Sequence, residues 1–225
     1  MAYRQIKREI LQRLSGADPD QGIDAVLSLP PRQAVSPLMG LFHHANDTIR
    51  WRSIAALGAV VARLADNEME SARVVMRRLI WNLNDESGGI GWGCPEAMAE
   101  IMTHQRSLAR EFAPILVSYA DPRCNFLEYE ALQRGLLWGL GRMARVYPDQ
   151  VAGVKPLLAS FLGSGDTAVR GMAIWVADAL PQTALKPLLR AQLNDNNEIW
   201  LFTDNRLIRK SLHQLALNAL SKIDP

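Results

Sequence analysis

The sequence predicts an all-α fold, an α-solenoid of about five to six antiparallel helix pairs. Three observations carry that expectation. A short pattern recurs five times, beginning at Ile49, Trp92, Leu132, Val169 and Ile208, at an interval of roughly forty residues. Within the recurrences the apolar residues keep helical spacing, as in Ile54, Leu57, Val61 and Leu64, or Leu132, Leu136, Leu140 and Met143. No segment reads as a convincing strand.

In chain order, an N-terminal helix pair is expected over about 3–14 and 21–29, followed by repeats over 30–222 within one domain spanning 1–225. Each recurrence supplies the second helix of a pair. The first helices read as about 31–43, 68–83, 107–119, 149–161 and 182–192. Four of them carry a proline before apolar residues, at Pro37, Pro114, Pro156 and Pro187. A proline removes one backbone hydrogen bond and bends a helix, so a shared bend is expected. Small residues flank the second helices: Ala55, Gly58 and Ala62, then Gly135, Gly139 and Ala144. A glycine inside a helix costs about 1 kcal/mol against alanine. Its recurrence points to tight helix–helix approach.

The stretch Gly165-Asp166-Thr167-Ala168-Val169-Arg170-Gly171-Met172-Ala173, and Asp47-Thr48-Ile49-Arg50 ahead of Ala55-Ala56-Leu57-Gly58, resemble HEAT repeats. The likeness is strongest to the short bacterial type related to phycobilisome-lyase repeats, and it covers about residues 30 to 222. The resemblance implies a binding scaffold rather than a particular chemistry. It also implies that the matched Asp and Arg positions form a hydrogen-bonded ladder between repeats, which gives Arg50 and Arg170 a structural role.

Departures from a repeat are informative. The third full repeat departs most: its inter-helix turn runs through Asn84, Glu86, four glycines, Trp92, Cys94 and Glu96, with Gly93 where the ladder has Arg. Pro95 suits the first turn of the next helix, with Cys94 as cap and Glu96 near the positive helix end. As a recognition loop, this turn offers Glu86 and Trp92 as contacts. As a structural connection, it uses Trp92 as a core plug, in register with Ile49 and Val169. The next repeat begins with Glu128-Tyr129-Glu130, followed by Arg134. If second helices line one groove, then Arg52, Glu86, Trp92, Glu96, Glu128, Tyr129, Glu130 and Arg134 are its candidate partner contacts, and the mixed charge suits a basic peptide.

Composition narrows the function. Nearly half of the residues are hydrophobic, and the formal net charge is +2. A protein that coats phosphate backbone usually carries a stronger excess or a basic stripe. Nucleic acid is therefore not favoured as a partner, although Arg50, Arg52, Arg77, Arg78 and Arg134 allow a local patch. The charged start Met1–Glu9 lacks the apolar core of a secretory signal. The apolar stretch from Ile54 to Ala65 is too short to span a bilayer. The expectation is a cytoplasmic chain with reduced thiols and no membrane partner.

His43, His44, Cys94 and Cys124 fall on one edge of the predicted array but lack the close ligand pairs of a zinc site, so no metal is expected. Gly89, Gly91 and Gly93 precede a helix without the strand or lysine of a phosphate loop, so no cofactor is expected. Cys94 reads as an inert core cysteine, and Trp138 and Trp175 as core residues. The sequence points to a non-catalytic protein-binding scaffold or adaptor with a protein or peptide partner. The alternative is a HEAT-like DNA-binding enzyme of the alkylated-base glycosylase type. There, Trp51, Trp92, Trp138 and Tyr129 would stack on bases, and Glu86 or Glu128 would supply a carboxylate.

Overall fold

The computed structural model describes residues 3–84 and 91–223. The chain divides into two compact units. The first comprises Met1–Leu108 with the short segment Phe202–Arg206, and the second Ala109–Leu201 with Leu207–Pro225.

The first unit opens with α1 (Tyr3–Leu14) and α2 (Pro19–Leu27). Asp18 starts α2 by accepting the backbone N–H groups of Asp20 and Gln21. After α3 (Pro31–Met39) comes the long α4 (Asp47–Asn84). Glu68, at φ −146° and ψ 69°, breaks α4 into limbs over 47–67 and 69–84. The break falls where the sequence begins a new first helix, so α4 is a second helix followed directly by the next first helix. Helix α5 (Cys94–His104) completes the unit. Ile54, Leu57, Val61 and Leu64 are all buried, as their spacing predicts.

A β-carbon on Gly58 of α4 would lie 2.6 Å from the Glu100 Cγ of α5. The Glu100 carbonyl carbon would be 3.1 Å away as well, so α4 and α5 approach too closely here for a larger residue, which accounts for the helix-weakening glycine at that position.

Helix α6 (Arg106–Ser118) contains the division between the units. The second unit continues with α7 (Glu130–Val146). Pro156 acts differently from Pro37 and Pro114, which sit inside regular helices. Around Pro156 the expected helix becomes α8 (Pro148–Val151), a 3-10 run (Ala152–Leu157) and α9 (Leu158–Leu162). Pro187 lies in the first turn of α11 (Lys186–Ala191), beyond α10 (Thr167–Ala179). The four prolines therefore do not produce one shared bend. The outcome depends on whether the missing N–H falls inside a helix or at its start.

Contrary to the sequence expectation, one segment is extended. Strands β1 (Glu198–Thr203) and β2 (Arg206–Ser211) pair as a hairpin before α12 (Leu212–Ile223). The turn residues Asp204 and Asn205 have φ of 48° and 56°, the left-handed pair that a two-residue hairpin turn needs. The helical pattern predicted from Ile208 is therefore a strand up to Ser211, and the helix begins at Leu212. The β-branched and aromatic run Ile199–Thr203 before Asp-Asn is the strand signal in that stretch.

Candidate functional site

The first unit contains a cleft of about 370 Å³, assembled from several of its helices. Tyr3 comes from the start of α1. Ser36 and Met39 come from α3, and Gly40, Phe42 and His43 from the turn after it. The second limb of α4 contributes Arg78 and Asn82, and the entry to α5 contributes Gly91, Trp92 and Cys94. Met39 and Phe42 are buried. Trp92 stands at the rim, 41% exposed, with its ring centroid 6.2 Å from that of His43.

Hydrogen bonds fix these walls. The Arg78 Nη1 donates to the Ser36 Oγ at 2.9 Å, tying the second limb of α4 to α3. Arg32 reinforces the same pairing through Glu68 and the Ser71 Oγ. The Lys7 ammonium donates to the Gly40 carbonyl at 3.0 Å, joining α1 to the end of α3. Gly93 has φ +78°, and a β-carbon there would lie 2.9 Å from the Phe42 ring. That left-handed turn, not a Cys94 cap, starts α5: Gly93 is the capping residue and Cys94 the first helical one. Trp92, on one side of the turn, faces solvent, whereas Cys94 on the other is buried. The core-plug role considered for Trp92 does not hold. Burial pushes the Cys94 thiol up to about 12, so it stays protonated and unreactive near neutrality.

The exposed aromatic surface extends beyond the cleft. Trp81 is 65% exposed, and Val74 is also in solvent. Val74, Arg78 and Trp81 share one face of the second limb by helical spacing. Ala72, Val75, Met76 and Leu79 form the buried stripe of the same limb. A tryptophan set off that stripe is the sequence signal for this surface.

The other predicted contacts have varied surroundings. Glu86 lies outside the described residues. Arg52 donates through Nη1 to the carbonyls of Leu14 and Gly16, at 2.8 and 2.7 Å, closing the C-terminal end of α1. Glu96 has Oε2 sealed from solvent with no hydrogen-bond partner among the described residues. Burial raises its carboxyl to about 7, opposed by its own backbone N–H and by the charge of Arg50.

In the second unit, Glu128, Tyr129 and Glu130 are all exposed at the start of α7. The turn before them is held by the Leu127 N–H on the Tyr119 carbonyl and by the Gln133 side chain on the Leu127 carbonyl. Arg134 is engaged by the Asp166 carboxylate, with Nε to Oδ1 at 3.1 Å. Asp166 also caps α10 through the Val169 N–H. Desolvation acts against its charged form, but Arg134 and the Val169 N–H outweigh it and hold the Asp166 carboxyl below its usual range.

Arg170 repeats the device one repeat later. It bonds Asp195 at 2.7 Å and the Ser164 and Gly165 carbonyls at 2.9 and 3.1 Å. The ladder expected for Arg170 is thus present between repeats, and Arg134 belongs to it. Arg50 instead pairs within its own helix turn, with Asp47 at 3.1 Å.

Several aromatics proposed for base stacking are occupied. Trp138 is 2% exposed and stacks on Trp175, so both are core residues, as expected. Within the first unit, Trp51 stacks on Phe202 with ring centroids 5.1 Å apart. Phe202 is therefore buried, whereas Trp200 remains exposed. Among the described residues, no group of three or more His, Cys, Asp or Glu side chains is placed to hold a metal ion. No helix among them is long and apolar enough to cross a membrane.

No family model matches the chain. It is similar to an uncharacterised protein of Archaeoglobus fulgidus, 26% identical over 185 residues, covering 80% of this chain and 92% of the relative. Among solved structures it resembles a designed armadillo repeat protein in complex with the peptide (KR)4, with a TM-score of 0.52 and 16% identity, covering 96% of this chain and 98% of that one. It also resembles computationally designed armadillo repeat proteins for modular peptide recognition, with a TM-score of 0.54 and 16% identity, covering 96% and 90%. An engineered protein gives a TM-score of 0.55 at 14% identity, covering 98% and 96%. The fold is an all-α helical-repeat solenoid of armadillo-like type.

Proposed function

We propose that the protein is a non-catalytic scaffold of HEAT-like repeats that binds a protein partner through an extended peptide segment. The observation that carries this reading is a group of large side chains left in solvent, chiefly aromatic. Trp81, Val74, Trp92 and Tyr3 are exposed in the first unit, and Tyr129 between two glutamates in the second. Aromatic residues in solvent are the usual anchors of protein recognition. The designed armadillo proteins of similar fold, made for peptide recognition, support the reading. In this proposal Trp92, Glu128, Tyr129 and Glu130 are partner contacts, joined by Trp81. Arg52 and Arg134 hold the repeats together, and Glu96 tunes the helix interface.

Panning a displayed random-peptide library on the immobilised full chain tests the proposal. Wild type should enrich one sequence class that is lost with Trp81→Ser/Trp92→Ser or with Glu128→Lys/Glu130→Lys. No enrichment, or the same peptides on every bait, overturns it.

A further inference from the structure

We propose that the cleft of the first unit binds a peptide segment presenting an aromatic side chain beside a carboxylate. The inference rests on the scaffold reading and adds the site and the chemistry of its occupant. The floor is apolar, formed by the buried Met39 and Phe42. The rim is aromatic, with Tyr3 and Trp92 about half in solvent. A volume of about 370 Å³ is at the small end for ligand sites, and drug-sized ligands are usually buried over most of their surface. A cleft this small with a half-open aromatic rim suits one large side chain projecting from a longer chain. The exposed Val74 and Trp81, on the same helical face as Arg78, continue the contact surface beyond the cleft.

Charge selects the neighbouring group. The described lining carries Arg78 and His43 and no carboxylate. The Lys7 ammonium lies against Gly40, itself a lining residue. Arg78 spends one Nη on Ser36, which fixes the guanidinium plane. Its Nε and Nη2 have no partner among the described residues, and that edge has the fork geometry that grips a carboxylate with two parallel hydrogen bonds. A basic peptide would meet Arg78 and Lys7 unfavourably. This is the opposite preference to the basic peptide suggested by the mixed-charge second-helix groove.

Fluorescence anisotropy with the full chain tests the inference, using labelled Gly-Glu-Trp-Glu-Gly, Gly-Lys-Trp-Lys-Gly and Gly-Glu-Ala-Glu-Gly. The first peptide should bind at least about tenfold more tightly than the other two, the ratio expected from one charge-assisted contact or one anchoring ring. Arg78→Glu should abolish that preference and favour the lysine peptide. Trp92→Ala should weaken the tryptophan peptides while leaving helicity unchanged. Equal binding of the acidic and basic peptides, or binding indifferent to Arg78→Glu, overturns the assignment. If the acidic peptide fails while library panning still enriches a sequence class, the cleft assignment falls and the scaffold reading stands. If both fail, both fall.

Discussion

The two units stack similar helix pairs but fasten them differently. In the first, most of the arginines that join helices reach backbone carbonyls at helix ends: Arg52 on Leu14 and Gly16, Arg63 on Leu27, Arg13 on Ala25, with Arg32 on the Glu68 carboxylate as the exception. In the second, arginines reach carboxylates of the following repeat: Arg134 on Asp166, Arg170 on Asp195, Arg145 on Asp178. Arg145 also lies over the Trp175 ring, 3.9 Å from its centroid. An ion-pair ladder fixes register through specific partners. Helix-end capping tolerates different partners, since any carbonyl at the right height serves. The first unit, with the looser requirement, is also the one that carries the open cleft.

The most damaging change to this contrast should be Arg170→Ala. It removes a half-buried pair and leaves the Asp195 Oδ2 and two carbonyls without the Arg170 donor, while Oδ1 keeps its bonds from Asn197. A loss of about 2–3 kcal/mol is expected in urea unfolding. Asp195 is held below its normal range by the Arg170 hydrogen bond and the Asn197 N–H. Its contribution is therefore present above the ordinary aspartate range and lost as pH falls through the depressed value, and Arg170→Ala should remove part of that acid sensitivity.

Gly58→Val probes the first unit's close helix approach. The added β-carbon meets the Glu100 side chain at 2.6 Å and its backbone carbonyl carbon at 3.1 Å. Because backbone cannot step aside, a loss of about 2 kcal/mol is expected by the same measurement.

Glu96→Gln should act in the opposite direction. Its carboxyl is raised to about 7 by burial, so the folded state favours the protonated form. That stabilising protonation is complete below the unfolded glutamate range, and the benefit is lost as pH rises through about 7. The glutamine variant should gain roughly 1–2 kcal/mol over wild type at pH about 8 and show little difference at pH about 4. Equal stability curves for the two proteins would remove the buried charge from the account of the α4–α5 interface.

The smallest effect on stability is expected from Trp81→Ser. The side chain is largely in solvent, so unfolding should shift by no more than about 0.5 kcal/mol. The same substitution should reduce peptide capture. A stability loss without a binding loss would reassign Trp81 to packing.

Much of the fold was legible because burial on a helix repeats with the helix. The Ile54–Leu64 stripe, the close approach at Gly58 and the break before a new first helix at Glu68 all follow from local pattern and small residues. The hairpin was not legible from that pattern. Ile208 and Arg209 match the repeat motif, yet they pair as a strand because Asp204 and Asn205 accept left-handed angles and fold the chain back. The candidate site was partly legible. Trp92 and the Glu128–Glu130 triplet are exposed, but Arg134, grouped with them in the sequence, is held by an aspartate from the next repeat. A spacing identifies which residues share a face without identifying which of them find a partner across it.

By itself, the sequence determined the repeat, its period, the apolar stripes and the all-α class, because each is a local periodicity that the backbone must obey. The tertiary structure alone decided that Arg134 pairs with Asp166, that Trp92 faces solvent while Trp138 does not, and that α1, α3, α4 and the entry to α5 meet around a cleft lined by Arg78 and no described acid. Those outcomes depend on contacts between residues far apart in the chain. Their energies come from desolvation and hydrogen-bond geometry that exist only once the helices are in place.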